Sequence, residues 1–408
     1  MQSGSPFSAP KESTDLPRSS SSMQSSIEAM YDSQSRSFLN QNVFKNARHY
    51  VPTRFLSNRR LVIVVGCALF LVVLLVASST GHQQAILDIN AAANRTLGFG
   101  SIEMINLPIR NDKADAATVQ AFLSGIDINI VEGVNGTRLG EVGMPPSSVP
   151  DTEPGLSAGE KGCWRSHANA WSSMLRANKE TVLIMEDDVT WDVNIKEVMR
   201  LAASNLAALV NGTAMFDIGR SEHKMVQAAF DPWYSHGWDM ITFGHCGDRD
   251  GWKSERIKYD DPYTSGAASE YFGISLKGGR RMIRRAGGLT CTGAYAVSAR
   301  GAAKLLLRSN FDLNIPVDVI MNEMIENNQL KAYSIWPPPV VQWRYRDKLG
   351  MWGSMGSDIR VEQKDQDRSG WEEAHKTRDV WQLKGDTTGL KSPAIKSAWG
   401  MLIGHDEG

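Results

Sequence analysis

The sequence predicts an α/β fold with a mostly parallel central sheet, placed behind one N-terminal membrane-spanning helix. Residues 182–185 form a short, continuous apolar run, which is typical of a strand buried on both faces of a parallel sheet. Upstream, Ser157 and Glu160 have the spacing of a capping box, which marks the start of a helix. Residues 61–77 form an uninterrupted apolar segment, at the short end of what spans a bilayer.

The apolar strand ends in three consecutive carboxylates, Glu186, Asp187 and Asp188. In parallel sheets, ligands bind beyond the carboxyl ends of the strands. Strand alternation places Glu186 and Asp188 on one face and turns Asp187 away. Two oxygen donors on one face suit Mn²⁺ or Mg²⁺. The alternative is an acidic turn that caps the next helix, with Asp192 at the N-cap, and the triplet taken alone favours that alternative.

The neighbouring sequence favours the site. Residues 159–167 read GEKGCWRSH, and their pairing with a strand that ends in Glu-Asp-Asp resembles glycosyltransferase family 25. That family includes bacterial lipooligosaccharide galactosyltransferases and animal collagen galactosyltransferases. Further blocks at residues 105–110, 238–244, 294–302, 316–318 and 356–359 are similar to the family, so the resemblance covers about residues 101–358. The chain is identified as a fungal-type, membrane-anchored member.

The resemblance implies a GT-A-like nucleotide-sugar-binding fold and a metal-dependent, inverting transfer of a hexose. The donor is expected to be UDP-galactose, the acceptor a hydroxyl of a glycan or glycoprotein, and the cofactor Mn²⁺ or Mg²⁺. The implied site residues, by role, are Asn106, Leu107, Arg110, Glu186 and Asp187 for the donor, Glu186 and Asp188 for the metal, and Asp318 and Asp188 for catalysis. Asp318 is the candidate for acceptor positioning or base catalysis, although an aspartate at a helix start is an N-cap by default.

The chain divides into five segments. Residues 1–58 are rich in Ser and Gln and predict a disordered cytosolic tail. Residues 59–81 are the transmembrane signal anchor, 82–100 a stem, 101–359 the glycosyltransferase domain and 360–408 a C-terminal extension. Lys and Arg cluster before the anchor, which predicts a single-pass type II protein. The catalytic domain is expected in the lumen of the Golgi or endoplasmic reticulum.

The four cysteines are too few for a disulfide scaffold. Cys67 lies in the membrane segment, so three thiols reach the lumen and allow at most one internal disulfide. We predict Cys246–Cys291, since both adjoin strand-like runs in the same half of the chain. Cys163 is then free.

Other functions are less favoured. A net charge of −1 shows no nucleic-acid signature. Ser166 and His167 are adjacent on a helix and diverge, so they do not form a catalytic pair, and His167 is expected to be a satisfied structural residue. Two alternatives stay open: a catalytically silent membrane-anchored lectin or scaffold with the same fold, and a metal-dependent hydrolase that uses the same carboxylates.

Overall fold

The structure, a computed structural model, describes residues 91–140, 142–210, 231–248, 255–271, 274–350 and 367–404. The predicted cytosolic tail, the predicted membrane anchor and the block at residues 356–359 that resembles the family lie outside these ranges. Within the described ranges, no helix is both long and apolar enough to cross a membrane.

The described residues form thirteen strands and seven α-helices. The strands are β1 (Ile102–Asn106), β2 (Asn129–Glu132), β3 (Thr181–Glu186), β4 (Val189–Trp191), β5 (Met240–Gly244), β6 (Arg256–Asp260), β7 (Ser269–Tyr271), β8 (Ile274–Leu276), β9 (Arg280–Arg285), β10 (Ala294–Ser298), β11 (Ala332–Trp336), β12 (Val340–Tyr345) and β13 (Trp381–Leu383). The helices are α1 (Asn111–Ser124), α2 (Ala158–Arg176), α3 (Ile195–Val210), α4 (Ala299–Phe311), α5 (Val317–Glu326), α6 (Trp371–Thr377) and α7 (Ala394–Leu402).

Eight strands form one central sheet in the order β2-β1-β3-β10-β5-β11-β9-β6. Strands β2, β1 and β3 are mutually parallel, as are β5 and β11. Strand β10 is antiparallel to both of its neighbours, and so is β9. Six strands therefore run in one direction and two in the other. The predicted α/β class is confirmed. The predicted mostly parallel sheet is found in part, because six of its eight strands share one direction while β10 and β9 reverse and make the sheet mixed.

Strand β3 lies near the middle of the sheet and feeds two cores. Leu183 and Met185 join the core that contains residues of α1, α3 and α7. Val182 and Ile184 join the core that contains residues of α2, α4 and α5. Because alternate side chains point to opposite faces, an unbroken apolar run is what a strand covered on both sides requires. The expectation of a doubly buried strand is confirmed.

Helix α2 begins where the sequence predicts. The Ser157 side chain accepts from the backbone N–H of Glu160, and the Glu160 carboxylate accepts from the backbone N–H of Ser157. Gly162 lies so close to a neighbouring loop that an added Cβ would be 2.5 Å from the Val134 carbonyl oxygen. The loop at residues 134–137 can therefore pack directly on the first turns of α2.

The disulfide Cys246–Cys291 is present, with a Cα–Cα distance of 5.5 Å, and Cys163 is free, as predicted. The bond ties the segment that follows β5 to the loop that precedes β10. Both segments lie at the edge of the sheet where β3 ends, because β10 is antiparallel to β3 and begins opposite the end of β3.

Segments at the two predicted domain limits pack against the main body. Leu97 and Phe99, in the predicted stem, are buried, and the Phe99 ring stacks on Trp233 with centroids 4.9 Å apart. In the predicted C-terminal extension, β13 pairs with β12, and the three strands β13, β12 and β4 form a second sheet. Asp192 accepts backbone N–H groups of Lys391 and Ser392. The boundaries at 100 and 359 stay predictions.

Candidate active site

A cavity of about 370 Å³ opens at the carboxyl ends of β1 and β3. Glu186, Asp187 and Asp188 line one side, together with Lys113. The loop at residues 134–137 and the first turns of α2 line the other side. The cavity thus lies where the sheet topology places a ligand site, beyond the ends of two adjacent parallel strands.

The three carboxylates do not continue the alternation of the strand. Strand β3 ends at Glu186, and Asp187 and Asp188 form the turn that leads into β4. The Lys113 Nζ lies 2.9 Å from Asp187 Oδ1 and 4.0 Å from Asp188 Oδ2. The prediction that Asp187 turns away from Asp188 is therefore wrong, because the period of two applies only while the backbone stays extended.

Asp187 is held by two side chains from the first strand–helix unit. Besides Lys113, the Asn106 side-chain amide donates to Asp187 Oδ2 at 2.9 Å, and also to the Arg110 carbonyl at 3.0 Å. The aspartate itself is 8% exposed. Asn106 was predicted to bind the donor; in the structure it fixes Asp187, which in turn lines the cavity.

Leu107 and Arg110, which were also predicted to bind the donor, have different positions. Leu107 lines the cavity. Arg110 forms an ion pair with Asp112 at 2.8 Å. Neither Arg110 nor Asp318 is among the described residues that line this cavity.

Glu186 has partners different from those of Asp187, namely Thr292 and His167. The Thr292 hydroxyl donates to Glu186 Oε1 at 2.6 Å, and His167 Nε2 lies 3.8 Å from the same oxygen. Burial alone would raise the pKa of Glu186, but His167, the Thr292 hydroxyl and Lys113 outweigh it and lower this pKa. Glu186 is therefore an anion near neutral pH.

His167 is buried and has one ring nitrogen in a polar network. Its Nδ1 lies 2.9 Å from the Tyr295 hydroxyl, to which the Trp171 indole N–H also donates at 2.9 Å. The expectation of a structural histidine is met on this side of the ring, whereas the other nitrogen faces Glu186. Ser166 instead accepts from the Val134 N–H and donates to the Gly162 carbonyl, so it does not pair with His167.

Cys163 also lines the cavity. Burial raises the pKa of its thiol well above the ordinary value, and the negative charges of Glu186, Asp318 and Glu160 raise it further. The Cys163 side chain is therefore a protonated thiol at neutral pH, and a protonated thiol is a poor nucleophile.

Asp318 lies in the first turn of α5, but it does not cap the helix. Pro316 occupies the N-cap position, and no side chain makes a capping hydrogen bond there. The expectation of an N-cap is wrong. The Asp318 carboxylate instead accepts from the backbone N–H of Cys291 at 3.4 Å. Because Thr292 follows Cys291 and binds Glu186, Asp318 contacts the loop that supports the acidic turn.

Lys113 and Thr292 belong to the site although the sequence did not single them out. Lys113 lies on α1 in a polar run that resembles a solvated loop, yet it is 4% exposed. Its partner Asp187 is 74 positions away, and Thr292 is 106 positions from Glu186. A local pattern carries no signal for contacts of that separation.

Comparison with protein families supports one class of enzyme, the glycosyltransferases. Residues 101–228 match the family model described as Glycosyltransferase family 25 (LPS biosynthesis protein). This range contains β1, α1, α2 and the acidic turn. The resemblance found in the motifs is confirmed for that range, and the matches support a glycosyltransferase.

Individual relatives are similar over more of the chain. A "Glycosyltransferase 25 family member" of Anopheles gambiae is 26% identical over 246 residues, which are 58% of this chain and 34% of that protein. The human "Procollagen galactosyltransferase 2" is 23% identical over 274 residues, 62% of this chain and 37% of the relative. The human "Inactive glycosyltransferase 25 family member 3" is 24% identical over 310 residues, 73% of this chain and 44% of the relative.

The chain thus spans about a third of the length of the first two relatives and less than half of the third. Among solved structures, "Crystal Structure of A197 from STIV" has a TM-score of 0.25 at 9% identity, over 60% of this chain and 85% of that chain. A likeness of that size carries no argument about the fold.

Proposed function

We propose that this protein is an inverting glycosyltransferase that moves a hexose from a nucleotide-sugar donor to a hydroxyl of a glycan or glycoprotein. The observation that carries the proposal is the acidic turn at residues 186–188, which faces a cavity at the carboxyl ends of β1 and β3. The described residues that line this cavity all fall within residues 101–228, the range that matches family 25. A GT-A-like arrangement of this sheet is part of the proposal.

The donor is proposed to be UDP-galactose, since relatives carry the name procollagen galactosyltransferase. The cavity of about 370 Å³ is within the range of small-molecule sites. Leu107 offers an apolar surface to the base and ribose, while Asn106 acts through Asp187. Arg110 is proposed to approach the donor from the rim, although its guanidinium is bound to Asp112.

The donor set fits Mn²⁺ or Mg²⁺. Glu186 and Asp188 both offer carboxylate oxygens to the cavity, and hard divalent cations prefer such oxygens. Asp187 is the least available of the three because Asn106 and Lys113 already hold its two oxygens. When bound, the cation would neutralise charge on the donor diphosphate and its leaving group.

Inversion needs a base that takes the proton of the acceptor hydroxyl. Asp318 is proposed for this role or for positioning the acceptor, and Asp188 is proposed to act beside it. Asp318 is partly exposed and lies against the loop that carries Thr292. Lys113 is proposed to keep the acidic turn in place and to face the donor diphosphate from the side of Asp187.

The protein is further proposed to be a single-pass type II membrane protein of the Golgi or endoplasmic reticulum. The Lys and Arg residues that precede residue 61 support a cytosolic N-terminus. The Cys246–Cys291 disulfide supports an oxidising compartment for the catalytic domain. That the chain is a fungal-type member stays a prediction.

Protease treatment of sealed microsomes tests this topology. It should remove an N-terminal tag and spare a C-terminal tag. The opposite pattern would place the catalytic domain in the cytosol and contradict the proposed location.

Activity is tested with the full-length chain in detergent, a panel of UDP-sugars, and a panel of glycan and glycoprotein acceptors that includes procollagen. We expect UDP release and acceptor labelling with UDP-galactose and Mn²⁺, and loss of both with a chelator. Turnover that survives chelation would remove the metal from the proposal. Cleavage of glycosidic bonds without a sugar donor would favour the hydrolase.

A catalytically silent lectin or scaffold is the second candidate, favoured by the similarity to a relative named inactive. It predicts saturable binding of UDP-galactose without turnover on any acceptor. The presence of Glu186, Asp187 and Asp188 at the cavity argues against it.

A further inference from the structure

Where α2 faces Glu186 across the cavity, three different metal-binding groups come together. Cys163 and His167 are four positions apart on α2, which places them on the same face of the helix, one turn from each other. Glu186 approaches them from the end of β3. One ligand atom of each, a sulfur, a ring nitrogen and a carboxylate oxygen, all lie within 4.8 Å of one another.

The chemistry of this set differs from that of the acidic turn. A thiolate, an imidazole and one carboxylate suit Zn²⁺, which accepts nitrogen and sulfur ligands in tetrahedral sites. Mn²⁺ and Mg²⁺ prefer oxygen. Three protein ligands leave the fourth tetrahedral position open, and here that position would face the cavity, because all three residues line it.

The surroundings already orient the ligands. The His167 Nδ1 is fixed by the Tyr295 hydroxyl, which is itself held by the Trp171 indole, so Nε2 points toward Glu186. An outer partner on the second ring nitrogen is what a metal-binding histidine ordinarily has. Glu186 is held by the Thr292 hydroxyl at 2.6 Å. Two of the ligands belong to a helix and one to a central strand, so their spacing is rigid.

We propose that Cys163, His167 and Glu186 form a Zn²⁺ site. On binding, the Cys163 thiol releases its proton to solvent and the thiolate coordinates the metal. The inference extends further if the proposed glycosyltransferase function holds. Glu186 would then be shared with the donor-bound cation, and Zn²⁺ would inhibit transfer by occupying Glu186 from the side of α2.

The binding half is tested with Co²⁺, a coloured probe for zinc sites, on the metal-free full-length chain in detergent under argon. We expect the near-ultraviolet absorption of a cobalt–thiolate bond, which added Zn²⁺ abolishes. The band should be lost in Cys163→Ser and weakened in His167→Gln. Losing an outer partner of a metal ligand already costs roughly 10- to 100-fold in affinity, so losing the thiolate should weaken Zn²⁺ binding by at least about 100-fold.

Two variants serve as matched controls. Cys67→Ser removes the thiol of the predicted membrane segment, and His375→Gln removes a histidine of α6; both should keep the cobalt band. A band that is absent in the wild type, or that survives Cys163→Ser, overturns the site. Glu186→Gln, which preserves the shape of the side chain, should also weaken binding, and it covers the case in which Cys163→Ser fails to fold.

The inhibition half uses galactosyl transfer at fixed Mn²⁺, with each variant compared with its own rate without zinc. The Zn²⁺ concentration for half-inhibition should rise by at least about 100-fold in Cys163→Ser, in step with the loss of binding. Cobalt binding without any transfer activity would contradict the proposed function and spare the metal site. Transfer activity without cobalt binding would contradict the metal site and leave the proposed function standing. Equal zinc sensitivity in the wild type and Cys163→Ser would show that zinc does not inhibit transfer by binding at this site.

Discussion

Two clusters of charged side chains lie near the ends of central strands. They differ in how far cations of the protein balance the negative charge of their carboxylates. Asp239 immediately precedes β5 and is almost fully buried. It accepts from Arg300 Nε at 2.6 Å, Lys304 Nζ at 2.7 Å and the Lys331 backbone N–H at 2.8 Å. At the other edge of the sheet, the acidic turn presents three carboxylates to a cavity, and Lys113 is the only Lys or Arg among the described residues that line it.

The difference separates a structural role from a binding role. One carboxylate shared by two cations and an amide has its charge balanced within the protein, so it stabilises the fold. Three carboxylates beside one lysine leave negative charge facing the cavity, which favours a bound cation. The comparison predicts that changes at the acidic turn mainly affect activity, whereas changes at Asp239 affect stability.

The largest effect is expected for Asp188→Asn. The amide keeps the shape but loses the charge that a hard cation prefers, so we expect sugar transfer to fall by about a thousandfold, in line with the loss of one strong electrostatic contact in an active site. The thermal midpoint should change little. The measurement is UDP-galactose turnover with Mn²⁺, together with thermal unfolding. Full activity in this variant would remove Asp188 from the site.

Lys113→Met should act on stability even though Lys113 lies at the cavity. Removing one partner of a buried ion pair leaves the Asp187 charge uncompensated, at a cost of about 3 kcal/mol in the free energy of unfolding. Denaturant unfolding measures it. Adding Asp187→Asn should recover part of this loss, because the double variant no longer buries the Asp187 charge without its closest cation. Additive losses in the double variant would contradict the pairing.

Asp239→Asn should lower the free energy of unfolding by about 2 kcal/mol at neutral pH, because hydrogen bonds to a charged acceptor are the stronger kind. Burial would raise the pKa of Asp239, but Lys304, the Lys331 backbone N–H and Arg300 outweigh it and lower this pKa. The stabilisation is thus present above the unfolded-state pKa and lost as pH falls through the folded-state pKa.

The wild type and Asp239→Asn should therefore converge in stability under acid conditions and differ most near neutral pH. Urea unfolding across this range checks the sign. A difference that grows as the pH falls would mean that the carboxylate is not stabilised as an anion. Activity per folded molecule should stay unchanged, which is the opposite of the result expected for Asp188→Asn.

The smallest effect is expected for Thr292→Val, which preserves size and removes the hydroxyl that binds Glu186. Loss of this one hydrogen bond to the Glu186 carboxylate costs about 1.5 kcal/mol. Since Glu186 is proposed as a cation ligand, we expect the Mn²⁺ dependence to shift to higher concentration while the maximal rate changes less. A matched change at Thr290, whose hydroxyl donates to the Gly247 carbonyl at 3.2 Å, should leave the Mn²⁺ dependence unaltered.

Much of this architecture follows from the sequence alone. The run at residues 182–185 is a doubly buried strand because every side chain in it is apolar, and the carboxylates that follow it therefore lie at the edge of the sheet. The start of α2 follows from Ser157 and Glu160, which bind each other's backbone within one turn. The count of cysteines outside the predicted membrane segment allows one internal disulfide, and the strand-like runs beside Cys246 and Cys291 indicate that pair. Each of these depends on neighbours in sequence or on simple parity.

Only the tertiary structure decides how the acidic turn is organised. Lys113 reaches Asp187, and Thr292 reaches Glu186, through contacts between segments far apart in the chain. The reversal of β10 brings Thr292 to the end of β3, and the turn after Glu186 ends the alternation that would have separated Asp187 from Asp188. Local patterns reflect the interactions of a few neighbouring residues, whereas these positions depend on how distant strands pair and pack, which no single stretch of the sequence encodes.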